Sequence, residues 1–212
     1  MVTDGLNPFA LLGFLGAVLG GGALVVAYLV ARVAGRGPLA NRVLVVGGIG
    51  AGAYLFLFAV ADLTSRDRVL APGEEKHICE IDCHLAYSVV GAKTESNPSG
   101  GTRYTVTVKV RFDEATISSR RPKDAPLSPN SRYVALLDSA GNYYAGSTES
   151  LKRRLIPGES YMTDIVFDLP AAMTNVQLVL RNADFETRFL IGHENSIGHG
   201  KTTFALARQP QG

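Results

Sequence analysis

The stretch Tyr104-Thr-Val-Thr-Val-Lys-Val-Arg-Phe112 decides how the larger part of this chain folds. Tyr104, Val106, Val108, Val110 and Phe112 alternate with Thr105, Thr107, Lys109 and Arg111. A period of two belongs to a strand with one face in a core and the other toward water. Upstream, Leu85–Val90 reads as the preceding strand, with Asn97-Pro98-Ser-Gly-Gly101 as the turn between them. Downstream, further strands are expected at Tyr133–Leu137, Asn142–Tyr144, Tyr161–Phe167, Val176–Leu180, Arg188–Ile191 and Thr202–Leu206. Asp138-Ser-Ala-Gly141 and Pro157-Gly158 supply turns. The segment Asp113–Asn130 holds Pro122, Pro126 and Pro129 and reads as a long surface loop. Short strands separated by Gly, Pro and Asn turns, with no helical pattern between them, imply two packed sheets.

The first third has a different character. Pro8–Val30 and Val43–Ala61 contain no Asp, Glu, Lys or Arg. At about 1.5 Å per residue each is long enough to cross a hydrocarbon layer about 30 Å thick. Asn7-Pro8 reads as a helix cap and first turn, and Asn41 as the cap of the second helix. Before Pro8 there is Asp4 and no basic residue, which disfavours a cleaved secretory signal. Between the spans, Arg32, Arg36 and Arg42 flank Gly35, Gly37 and Pro38 without an acidic residue. The positive-inside rule puts that connection in the cytoplasm, so both termini and the sheet domain face the periplasm or the extracellular space. Gly13, Gly16, Gly20, Gly48 and Gly52 give the spans small-residue faces suited to close helix packing, within the hairpin or against another subunit. The expected organisation is a transmembrane helical hairpin over 1–61, a linker over 62–74 and an outward immunoglobulin-like β-sandwich over 75–208. With 21 Lys and Arg against 19 Asp and Glu the net charge is only +2, and nucleic acid is not an expected partner.

Several stretches carry a family likeness. These are the strand Tyr104–Phe112, the Leu137-Asp-Ser-Ala-Gly-Asn-Tyr-Tyr144 hairpin, Leu155-Ile-Pro-Gly-Glu-Ser160 followed by Ile165-Val-Phe-Asp-Leu-Pro170, and the final short strand. Through them, residues from about Glu75 to Ala207 resemble the telokin-like immunoglobulin-fold domains found outside the membrane in many bacterial membrane proteins and lipoproteins. The resemblance implies a sandwich scaffold and carries no catalytic residue. Two features depart from that pattern: the paired anchor helices, and Cys79 and Cys83 with their neighbouring histidines. A weaker likeness, of architecture alone, is to subunit II of the haem-copper oxidases, which also joins a two-helix anchor to a sandwich bearing Cys-x3-Cys. There a histidine follows the second cysteine by four residues. Here that position is Tyr87 and the motif precedes the first strand, so the electron-transfer role is not carried over.

The chain's two cysteines and four histidines fall in two windows, His77–Cys79–Cys83–His84 and His193–His199. One reading of Cys79 and Cys83 is a disulfide pinning the chain before the first strand, structural or redox-active. The other joins His77, Cys79, Cys83, His84, His193 and His199 as candidate ligands of a soft metal, copper before zinc, if the sandwich brings the windows together. A Ser–His–Asp set could be written from Ser196, His84 or His193 and Asp82, but no G-x-S-x-G elbow accompanies it. The expected function is non-enzymatic: a membrane-anchored module for recognition or assembly with another envelope protein or a second copy. Copper or zinc binding or thiol redox is the alternative.

Overall fold

A computed structural model describes residues 2–4, 8–78, 83–97, 100–170, 173–182 and 185–206. The chain runs through β1 (Val2–Asp4), α1 (Pro8–Val33), α2 (Gly37–Thr64), β2 (Arg68–Leu70), β3 (Lys76–Ile78), β4 (Leu85–Ser96) and β5 (Thr102–Phe112). It continues through β6 (Tyr133–Leu137), β7 (Tyr143–Ala145), β8 (Ser160–Leu169), β9 (Gln177–Arg181) and β10 (Thr202–Ala205), with short 3-10 turns at Glu114–Thr116, Glu149–Leu151 and Phe185–Phe189. Two compact units result: Met1–Gly5 with Asp67–Asp184 and Lys201–Gly212, and Leu6–Arg66 with Phe185–Gly200.

In the second unit, α1 and α2 are long and apolar enough to cross a membrane over Ala10–Val33 and Gly37–Thr64, and none of their apolar windows is buried. They are joined at Ala34-Gly35-Arg36, where Gly35 takes a φ of 70° that costs a glycine little. α2 opens at Gly37 with Pro38 in its first turn and no side-chain cap at Arg36. Asn41 therefore sits inside the helix rather than capping it, because proline starts a helix without needing its missing N–H satisfied. Asn7, the expected cap of α1, lies outside the described residues. The helices pack through buried Ala31 and Ala40 and through Gly47, whose added Cβ would stand 3.7 Å from Leu24. Gly13, Gly16, Gly20, Gly48 and Gly52, the expected packing glycines, have nothing within 4 Å of such a Cβ.

The first unit is a sandwich of two five-stranded sheets, ordered β1-β3-β4-β5-β8 and β2-β10-β9-β6-β7. β5 shows why. Thr102, Tyr104, Val106, Val108, Val110 and Phe112 are buried and the residues between them are not, as the alternation requires. β8 repeats the pattern with Tyr161, Ile165, Phe167 and Leu169 inward. In β4 a bulge falls between Val89 and Gly91. Before it Leu85, Tyr87 and Val89 enter the core, and after it Ala92 does. One extra residue reverses which parity faces inward. The opposite sheet contributes Val134, Leu136, Leu178, Leu180 and Phe204 to the same core.

Two expectations are corrected. The 62–74 linker contains β2, which pairs in parallel with β10, and Leu70 is fully buried in the core. Arg188–Ile191 is not a strand. The place beside β9 is taken by β10, and the segment's amides bond locally, Leu190 to the Thr187 carbonyl and His193 to that of Leu190.

Candidate functional site

Of the expected site residues in the sandwich, His77 and His84 both lie at the first foot of the Asp113–Asn130 loop. β3 sets His77 fully buried, with Nε2 3.3 Å from Asp113 Oδ2. Asp113 follows β5 and caps the next 3-10 turn by accepting the Ala115 amide at 3.2 Å. Arg111, two residues earlier on the same face, reaches both Asp113 at 3.2 Å and Glu75, which it holds bidentately at 2.9 and 2.6 Å. The hydrogen bonds from Arg111 hold the carboxyls of Glu75 and Asp113 below the ordinary carboxylate range. Those carboxylates, Glu75 first, raise the guanidinium in turn.

His84 secures the same foot from β4's side. Its Nδ1 is 2.6 Å from Thr116 Oγ1, whose own proton goes to the Asp113 carbonyl at 2.7 Å. The His84 ring stacks on Phe112 at 5.6 Å between centroids and 15° between planes, and the Arg121 guanidinium lies 5.6 Å from the Phe112 centroid. At the other foot, the buried Tyr87 hydroxyl accepts the amides of Asn130 and Ser131 at 3.0 and 3.2 Å and donates to Asn130 Oδ1 at 3.0 Å. Asn130 Nδ2 then donates to the Ile78 carbonyl at 2.6 Å. Between the feet, Leu127 bridges to Leu155. Glu114, Ile117, Ser118, Ser119, Arg121, Lys123 and Pro157 line an open cleft of about 390 Å³.

His193 and His199 belong to the unit of the helices. His193 Nδ1 accepts the Asn195 amide at 3.0 Å, and His199 Nδ1 lies 3.4 Å from Asp62 Oδ1 at the end of α2. Cys83 is disulfide-bonded, so it offers no thiolate in this state. Cys79 lies outside the described residues. Among the described residues no three His, Cys, Asp or Glu side chains come together as metal ligands would.

The chain matches no family model and no curated protein. Among solved structures it is similar to MPT63, a secreted protein from Mycobacterium tuberculosis, at 13% sequence identity and a TM-score of 0.43, covering 67% of this chain and 99% of that one. A likeness at this level says nothing of what either chain binds.

Residues that reading the sequence passed over include Glu75, Arg111, Asp113, Tyr87 and Asn130, which do most of the holding. A usable signal was present in Glu75-Lys76-His77 and Arg111-Phe112-Asp113. Each places ionisable side chains two residues apart, a spacing that puts them on one face of an extended chain.

Proposed function

We propose that this chain is a membrane-anchored recognition or assembly module of the cell envelope, offering the Asp113–Asn130 loop to another envelope protein. The observation that carries this reading is the rooting of that loop at both ends in buried and half-buried polar side chains. His77, Arg111 and His84 fix one foot and Tyr87 the other. A long loop held this way keeps its shape while its middle stays open to a partner, which lowers the ordering cost of binding.

The placement outside the membrane rests on two further features. β1 pairs in parallel with β3, so residues before α1 and residues after α2 join one sheet, which supports a hairpin with both ends on one side of the membrane. Arg32, Arg36 and Arg42 mark the other side, and positive-inside assigns them to the cytoplasm. Among the described residues nothing favours copper, zinc or thiol redox chemistry over this reading.

A photo-crosslinking residue at Ser119 in living membranes tests the proposal. A discrete protein adduct is expected there, and not from the same residue at Tyr143 on β7. Equal labelling of the two positions, or no adduct at Ser119, would remove the assignment to the loop. A single cysteine at Gly37, in a background with both native cysteines replaced, should react with an impermeant thiol reagent only after lysis. Reaction in intact cells would reverse the orientation.

A further inference from the structure

We propose that Phe185–Gly200, which lies 120 residues beyond α2 in sequence, is a lipid-contacting part of the anchor, with Phe185, Phe189 and Ile197 entering the outer leaflet beside α2. The inference rests on the membrane-spanning reading of α1 and α2.

The segment leaves the sandwich after β9 and is compact with the helices. It runs along the last turns of α2. The Tyr54 hydroxyl donates to the Phe189 carbonyl, His199 stands at Asp62, and the Gly200 amide donates to Ser65 Oγ at 2.7 Å. At Gly200 the two segments are in backbone contact, because an added Cβ would lie 2.3 Å from the Arg66 carbonyl carbon. Depth follows from the helix rise. Asp62 is the first charged residue of α2 after Arg42, and Tyr54 lies two turns before it, about 12 Å deeper at 1.5 Å per residue. The charge-free run from Val43 to Ala61 is about the length of the hydrocarbon layer, so the Phe189 carbonyl sits at the level of the outer leaflet.

Backbone at that level must satisfy its polar groups without water. Here it does so. Besides the Tyr54 bond, Ser196 bonds to the His193 carbonyl, Ile197 to that of Arg188 and His199 to that of Ser196, and the Ser196 hydroxyl donates to the Leu190 carbonyl. The side chains suit the same place. Phe185, Phe189 and Ile197 are 61%, 40% and 63% exposed. The two rings meet edge to face at 5.4 Å. The Arg188 guanidinium lies 5.6 Å from the Phe185 centroid, on a stem long enough to carry its charge back to the headgroups. Aromatic rings with a neighbouring arginine are the composition of a membrane interface.

The chain has no tryptophan, so single tryptophans report position directly. The full chain would be reconstituted in phosphatidylcholine vesicles with or without lipid brominated along the acyl chain. Phe185→Trp and Phe189→Trp are compared with Phe56→Trp in α2 and Tyr143→Trp on β7. Phe185→Trp and Phe189→Trp are expected to lose about half their emission to brominated lipid, as Phe56→Trp does for a residue in the hydrocarbon, while Tyr143→Trp is unchanged. Emission at both positions that ignores brominated lipid but is quenched by acrylamide, with Phe56→Trp still quenched by the lipid, would overturn the proposal and leave the anchor standing. Shielding from both quenchers would overturn it too, marking a seat for a second copy. An unquenched Phe56→Trp would bring down the membrane-spanning reading and this inference with it.

Discussion

Lys76 is fully buried, and its Nζ crosses from one sheet to the other to donate to the carbonyls of Leu180 at 2.9 Å and Thr202 at 3.1 Å. Removing a buried partner exposes the desolvation cost of the groups left behind, so Lys76→Ala is expected to lower stability by about 2–4 kcal/mol. Thermal unfolding in detergent would measure it, and a change within ~0.5 kcal/mol would contradict this role. Arg111 sets a pH dependence. Glu75 and Asp113 have folded pKa values below the ordinary range. Such carboxylates bind protons less readily in the folded state, so their stabilisation is present above about pH 4 and is lost as pH falls through the lowered values. Arg111→Ala should therefore cost about 2 kcal/mol near neutral pH, with the gap to wild type closing below pH 4 in melts taken across that range. A gap that stays constant with pH would mean that Arg111 acts through packing instead.

At the scale of the element, what could be read from the chain was what periodicity encodes. The β5 alternation and the turns at Asp138 and Pro157 stand where the residue patterns put them. β2 and β3 did not show themselves because each has three residues, too few to display a period, and because Lys76 puts a charge on a core-facing position. Arg188–Ile191 failed for the opposite reason. Its short apolar run, Phe189-Leu190-Ile191, fits a strand or a turn equally, and pairing of β10 with β9 decided between them. The histidines were legible as a group but not in their role, since His77 and His84 answer to Asp113 and Thr116, more than 30 residues away in sequence. The loop's second foot can be tested alone. Tyr87→Phe strips the partner from the Asn130 and Ser131 amides and should cost about 1–3 kcal/mol. It should also speed proteolysis between Ser118 and Pro129, as followed by mass spectrometry, while cleavage elsewhere is unchanged.

For the whole molecule, the boundary of the sandwich lies earlier than the turn at Pro72-Gly73 suggested. A fragment from Asp67 to Ala207 keeps β2 and Leu70, whereas one from Glu75 loses both. The longer fragment is expected to be sheet-dominated by circular dichroism, and the shorter one to be less stable by about 2–5 kcal/mol, the range for deleting a buried leucine side chain. Equal melting of the two would show that β2 is dispensable. The β2–β10 pairing also constrains the order of events during biogenesis. The contacts that join these strands close loops of up to 135 residues, as between Thr203 and Arg68, and loops of that size are slow to close. The strand that emerges first after the helices must wait for β10, so until synthesis has passed Ala205 both β2 and β9 lack the neighbour they pair with. A chain that stops before β10 would thus be inserted but unfinished, presenting the bare strands to chaperones and proteases rather than a partly stable domain.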